Sequence, residues 1–141
     1  MFKNRKNNKK GFTLVEVIVV LVILAILAAI MIPALTGWID KANKKTAVVE
    51  ARTALLALQT EVAENYTPGS KNLTITKDGD NLKVGSVDVT ADYNGLVGED
   101  DAAKNTSNVT LDKTKVIGFV YVSSTGYTVT YANKAFTVAD K

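Results

Sequence analysis

The feature that most constrains this chain is an uncharged apolar run from Val17 to Leu35. Its 19 residues are close to the ~20 that a helix needs to cross ~30 Å of hydrocarbon. The run is apolar on every side, so it does not match a helix that lays one face on a soluble core. It therefore predicts a transmembrane helix near the N-terminus.

Charge is distributed unevenly around this run. The first ten residues hold five of the 17 basic side chains and none of the 14 acidic ones. The rest of the chain is slightly acidic, so the formal net charge of +3 does not indicate a nucleic-acid partner. The cations Lys9 and Lys10, directly before the apolar run, predict a cytoplasmic N-terminus.

The composition argues against an enzyme. The chain contains no Cys and no His, which excludes a disulfide scaffold and thiolate metal sites and removes the commonest general base. No paired acids stand in a catalytic setting. We therefore expect neither a catalytic site nor a cofactor.

Three ordinary interpretations compete for the apolar run. A secretory signal peptide has a run of 7–15 residues followed by a small-residue cleavage site. This run is longer, and the residues after it, Trp38-Ile39-Asp40-Lys41, are compatible with a helix and make a poor cleavage site. A single-pass anchor fits the hydropathy but does not explain Glu16 at its start or Pro33 within it. A buried amphipathic core helix is disfavoured because the run has no polar face.

The residues before the run form a specific pattern. Basic residues, a Gly-Phe junction and an acid precede it in register, as Lys9-Lys10-Gly11-Phe12-Thr13-Leu14-Val15-Glu16. This pattern resembles the class III signal of type IV prepilins, among them the major pilins of Gram-positive, clostridial type. The resemblance implies that a membrane aspartic peptidase cuts the Gly11–Phe12 bond on the cytoplasmic side and that the new N-terminal Phe12 is N-methylated.

The resemblance also gives Gly11 and Glu16 roles that suit their chemistry. Glycine has no side chain, so a peptidase can approach an extended backbone closely at Gly11. A carboxylate in hydrocarbon costs several kcal/mol unless it is paired, and in the family this glutamate pairs with the N-terminal amine, commonly of a neighbouring subunit. A plain linker glycine and a glutamate reaching the membrane interface are the alternatives.

Pro33 and Gly37 interrupt what is otherwise a continuous helical pattern. Proline has no N–H to bond the carbonyl of Ala29, and its ring crowds that carbonyl, so we expect a kink or a local opening of the helix. Gly37 lowers helix propensity one turn later. A proline tolerated within an ordinary transmembrane helix is the alternative interpretation.

The remaining chain predicts an amphipathic helix followed by strands. Apolar residues recur at helical spacing up to Pro68-Gly69, which should end the helix. They are Trp38, Ala42, Val48, Ala51, Leu55, Leu58, Val62 and Tyr66. Three β-branched and aromatic runs then predict an antiparallel meander, at residues 116–122, 127–131 and 135–138. Residues 73–76 and 82–84 predict a further hairpin across Asp78-Gly79.

Together these patterns predict an α+β, type IV pilin-like fold, in which a long N-terminal helix packs on a small antiparallel sheet. Tyr127, Val129 and Tyr131 alternate onto one face of that sheet and should cover the helix. The predicted segments are a cleaved leader (1–11), a membrane and filament-core helix (12–37), an amphipathic helix (38–66) and a β-rich domain (67–141).

The functional prediction is a structural subunit that polymerises through its N-terminal helix into cell-surface type IV pili. The implied partners are other copies of the chain, a prepilin peptidase and N-methyltransferase, the pilus assembly platform protein with its ATPase, and the membrane before assembly. A pseudopilin of type II secretion or DNA uptake is the alternative, and an anchored binding module is the rival from another class.

An acidic run offers a weak metal candidate. Glu99, Asp100 and Asp101 could supply oxygen ligands to calcium, and a pseudopilin of type II secretion binds calcium in its outer domain. The run lacks alternating ligand spacing, however, so a solvated acidic loop is the favoured interpretation.

Overall fold

The computed structural model describes residues 11–68 and 73–139. The contacts within the chain divide it into two units, with the boundary between Ile39 and Asp40. Each unit is described by itself below.

The first unit contains the start of the longest element, helix α1 (Leu14–Glu64). Every residue from Gly11 to Ile39 is exposed within the chain. An 18-residue window here has a mean hydropathy of 3.3 and none of it is buried, so by length and composition this helix is able to cross a membrane. No residue within 11–68 or 73–139 covers this apolar surface.

The second unit begins with the remainder of α1, which buries mainly alanines. The buried apolar residues of the helix recur at intervals of one to four and are Ala47, Ala51, Ala54, Ala57, Leu58 and Val62. The predicted stripe was right at three of these positions but wrong at its ends, because Trp38 is 76% exposed and Tyr66 is 45% exposed. Small alanines allow the rest of the unit to approach the helix closely. The prediction missed most of them because it relied on the spacing of larger apolar side chains.

A small three-stranded sheet follows α1. It consists of β1 (Ile75–Asp78), β2 (Asn81–Val84) and β3 (Val87–Asp88), paired antiparallel in that order. Asp78 pairs with Asn81 across a two-residue turn in which Gly79 has a φ of 62°, a left-handed conformation that glycine adopts without strain. The predicted hairpin is confirmed, with its turn at Gly79-Asp80 rather than Asp78-Gly79 and its first strand beginning at Ile75.

Two short helices, which the sequence did not predict, connect this sheet to the next. They are α2 (Thr90–Val97) and α3 (Ala102–Asn105). Gly98 ends α2 with a φ of 82°, and its N–H donates to the carbonyl of Asn94 at 2.8 Å, as expected of a glycine helix cap. Tyr93 of α2 is fully buried, so these helices are held by packing rather than by local propensity.

The second sheet is a four-stranded antiparallel meander. Its strands β4 (Thr106–Asp112), β5 (Lys115–Val122), β6 (Thr128–Ala132) and β7 (Ala135–Ala139) pair in chain order. The three predicted strands correspond to β5, β6 and β7. Strand β4 was not predicted. Register irregularities between Ser107 and Leu111 interrupt the alternation of inward and outward side chains from which a strand is predicted.

The predicted aromatic face is confirmed, since Tyr127, Val129 and Tyr131 are all buried. Side chains of α1 also bond directly to the meander. Gln59 donates to the carbonyl of Thr114 at 2.6 Å and accepts from the N–H of Val116 at 3.0 Å. The predicted α+β class is confirmed, with two sheets and two additional helices in place of a single sheet.

Candidate functional site

The junction between the leader and α1 is open. Gly11, Phe12 and Thr13 precede the helix, and Phe12 is 84% exposed. A Cβ atom placed on Gly11 would have no neighbour within 4 Å among the described residues, so none of these residues requires a glycine here. Lys9 and Lys10 lie outside the described residues.

Glu16 and Thr13 together cap the first turn of α1. The N–H of Thr13 donates to Oε2 of Glu16 at 3.4 Å, and the N–H of Glu16 donates to Oγ1 of Thr13 at 3.3 Å. These reciprocal bonds form a capping box, which satisfies two N–H groups that a helix start leaves without partners. The carboxylate also lies at the positive end of the helix dipole, where a negative charge is stabilised.

The capping role of Thr13 was not predicted, although the Thr-x-x-Glu spacing that signals it is present in the sequence. Glu16 is exposed within the chain, so a second molecule can approach its carboxylate while the cap is in place. The described residues of this protomer therefore leave room for the predicted pairing of Glu16 with an N-terminal amine, which stays a prediction.

Helix α1 continues through the predicted kink positions. Pro33 lies within the helix, and the hydroxyl of Thr36 donates to the Pro33 carbonyl at 2.9 Å. A Cβ atom at Gly37 would have no neighbour within 4 Å. The kink at Pro33 and Gly37 stays a prediction.

The acidic run connects α2 to α3. The hydroxyl of Tyr121 donates to Oε2 of Glu99 at 2.7 Å, while Asp100 and Asp101 are exposed. Burial, followed by the hydrogen bond to Glu99 and then by its charge, raises the pKa of Tyr121, so the phenol keeps its proton and remains the donor. Within residues 11–68 and 73–139, no group of three or more acids is arranged to hold a metal ion.

One further acid, Glu61 on the buried face of α1, was not predicted. Its side chain is only 2% exposed, and its Oε1 has no hydrogen-bond partner among the described residues. Loss of solvation, followed by repulsion from Asp92 on α2 and Glu64 on α1, raises the pKa of Glu61. An acid in such a place usually destabilises the ionised folded state. The sequence shows Glu61 only as one more charged residue of an amphipathic helix.

Comparison with known families identifies the N-terminal part of the chain. Residues 6–32 match the prokaryotic N-terminal methylation motif, and this segment includes Gly11, Phe12 and Glu16. The predicted resemblance to type IV prepilins is confirmed, and the motif supports a type IV pilin-like or pseudopilin protein. The family is structural rather than catalytic. No curated protein and no solved structure matches the chain.

Proposed function

We propose that this protein is a structural subunit of a type IV pilus. The observation that carries the proposal is an apolar helix start whose residues are all exposed in the part of the chain that the structure describes, within the segment that matches the methylation motif. Such a surface requires lipid or other subunits to cover it. A membrane-anchored precursor that later joins a surface filament meets this requirement twice, first with lipid and then with neighbouring helices.

Maturation begins at the junction of residues 1–11 with the filament-core helix at residues 12–37. A prepilin peptidase removes the leader by cutting the Gly11–Phe12 bond, and N-methylation of Phe12 follows. Residues 11–13 precede α1, which supports the proposal because a peptidase binds its substrate as an extended strand. The leader cations keep this bond at the cytoplasmic side.

Assembly then depends on Glu16 and the new amine of Phe12. In a filament core, both charges are removed from water, and each is costly there without the other. Pairing the carboxylate with the amine of an adjoining subunit offsets this cost and sets the axial stagger of neighbouring helices. Uncut chains have no such amine and are excluded from the filament.

The other segments follow from these roles. Pro33 and Gly37 allow the core helix to bend or open as subunits pack. The amphipathic helix at residues 38–66 and the β-rich domain at residues 67–141 form the outer layer of the filament. An assembly platform protein and its ATPase extract subunits from the membrane, and the surface filament then serves adhesion, motility or biofilm formation.

The test is to shear surface filaments from cells that express the chain and to identify their main component. We expect this protein, beginning at Phe12, as the major band. A processed protein that stays in the envelope and forms no surface filaments would instead indicate a pseudopilin. An uncut, monomeric membrane protein would indicate an anchored binding module.

A further inference from the structure

The second unit carries opposite charges on two flanks of α1. Successive residues of an α-helix are rotated by about 100°, so Arg52 lies about 200° around the axis from Glu50 and only about 20° from Lys45. Lys45 and Arg52 therefore share one flank, and Glu50 lies on the other.

The basic flank borders a groove beside the edge strand β7. The groove has a volume of about 390 Å³ and is lined by Lys44, Lys45, Val48, Val49, Arg52 and Val138. Within this groove, Val49 is 61% exposed, and the guanidinium of Arg52 lies 5.6 Å from the ring centroid of Phe136 on β7. Neither Lys45 nor Arg52 has an ion-pair partner in the described part of the chain. The groove therefore combines apolar valine side chains with two cations that have no ion-pair partner among the described residues.

The acidic flank carries the loop between α2 and α3. The carboxylate of Glu50 accepts the N–H of Ser124 at 2.8 Å and its hydroxyl at 2.5 Å. Tyr121, three residues earlier, donates to Glu99, so the loop lies on the Glu50 flank. After burial, the negative charges of Glu99 and Glu50 both help to raise the pKa of Tyr121. Both carboxylates therefore lie near the Tyr121 hydroxyl.

The remaining features of this loop are complementary to the groove. Asp100 and Asp101 are exposed, and their carboxylates make no ion pair with any described residue. Leu96, just before the loop, is 49% exposed and provides an apolar contact. One surface therefore offers an apolar side chain with two acids, and the other offers valines with two cations.

We propose that the acidic loop of one copy (residues 98–101), together with Leu96 near the end of α2, docks into the basic groove of a second copy of this chain. The two surfaces lie on different flanks of the same unit, so one copy cannot satisfy both. A contact between unlike surfaces is heterologous, and when its rotation does not close it builds an open helical filament. The inference rests on the proposed function and names a lateral contact of that filament, separate from the contact between Glu16 and Phe12.

Charge reversal in the full-length chain tests this docking. Lys45→Glu with Arg52→Glu, or Asp100→Lys with Asp101→Lys, should each lower the yield of sheared filaments roughly tenfold, because like charges then face each other. Combining all four changes in one chain should restore most of the yield. Asp80→Lys with Asp112→Lys, the matched control at two exposed acids that belong to neither surface, should have little effect. Unchanged yields in the two reversals, or no recovery in the combination, would overturn the proposal.

Cross-linking gives a second measurement that does not depend on yield. Because the chain has no Cys, Val49→Cys and Asp101→Cys introduce the only thiols. The two positions lie on different flanks of a helix ~10 Å wide, too far apart for a disulfide within one copy. Oxidised filaments should give a ladder of covalent multimers when both changes are in one chain, and no ladder with either alone.

The outcomes separate this inference from the proposed function. Filaments of normal yield that give no ladder would overturn the docking and leave the pilus subunit intact. If the unaltered chain forms no filaments at all, the proposed function fails and this inference fails with it.

Discussion

Thr13 and Glu16 cap the start of α1 reciprocally, each accepting the backbone N–H of the other through a side-chain oxygen. Glu16 thus has two separable properties, a capping oxygen and a negative charge. Glutamine at this position of a capping box can keep the cap, so substitutions can remove one property at a time.

We expect Glu16→Val and Glu16→Gln to be cleaved and inserted but to assemble poorly. Removing an acid lowers the cost of insertion, and the scissile bond is unchanged. Leaving the Phe12 amine without its counter-charge costs ~3–5 kcal/mol, which is more than a hundredfold in each subunit addition at ~1.4 kcal/mol per factor of ten. Filament yield after shearing, with a membrane blot for processed subunit, measures both effects.

Thr13→Ala is the control for the cap. It removes the hydroxyl acceptor and costs about 1 kcal/mol of helix stability, but it keeps the carboxylate, so assembly should remain near normal. If Glu16→Gln assembled normally, the charge would not be the assembly contact. If Thr13→Ala failed as severely as Glu16→Val, the cap rather than the charge would explain the loss.

We expect Gly11→Val to block maturation. The structure leaves room around Gly11, so the chain should fold and insert normally, and the added side chain should interfere only where the peptidase approaches the backbone. Mass spectrometry of the membrane fraction should show an intact chain for the variant and Phe12 as the first residue for the unaltered protein. Wild-type cleavage of Gly11→Val would contradict the proposed recognition.

The second unit should fold without the membrane segment. A fragment from Asp40 to Lys141 retains the buried alanine face of α1 and both sheets. It lacks the exposed apolar surface of the helix start, which would promote aggregation. We expect a soluble monomer that unfolds cooperatively in urea. Leu58→Ala in this fragment should lower the free energy of unfolding by about 2–5 kcal/mol. A fragment without a cooperative transition would show that the boundary is misplaced.

Glu61 should make this fragment less stable as the pH rises. Its pKa in the folded state is raised above the usual value, so protonation favours folding. That contribution is fully present below the unfolded pKa and is lost as the pH rises through the folded pKa. At pH 7 we expect Glu61→Met to increase the free energy of unfolding by roughly 1–3 kcal/mol, with the gain shrinking below the unfolded pKa.

The matched control is Glu64→Met, the same change on an exposed part of α1, which should alter stability by less than about 0.5 kcal/mol. Urea titrations across the pH range measure both variants. A Glu61→Met fragment that is less stable than the unaltered one at pH 7 would show that the carboxylate has a stabilising partner.

The turn between β6 and β7 contains a correctable strain. Asn133 and Lys134 have φ values of 52° and 62°, the left-handed region that asparagine tolerates and glycine adopts freely. We expect Lys134→Gly to stabilise the fragment by about 0.5–1 kcal/mol, while Lys134→Ala, which keeps the Cβ, should give no gain. Equal thermal midpoints for Lys134→Gly and Lys134→Ala would contradict this explanation.

The N-terminal pattern could be interpreted from sequence because its signals are local. An uncharged run long enough for a bilayer, a Gly-Phe junction and an acid in register require no knowledge of distant residues. The hairpin at Asp78-Gly79 and the strands β5 to β7 were also predictable, since turn chemistry and alternation act between near neighbours.

The tertiary structure decided what depends on distant contacts. The buried face of α1 is the one that carries Ala47 and Ala51, against which the rest of the second unit packs. The spacing of apolar residues in the sequence favoured larger side chains instead. Helix α2 exists because Tyr93 has a buried site to fill. Glu61 is buried by the folding of the second unit, which also brings the charge of Asp92 near it. The sequence alone determined that the N-terminal part of this chain holds a helix long and apolar enough to cross a membrane. The surfaces on which its charged side chains lie were determined only by the packed domain, because they depend on contacts between residues far apart in the chain.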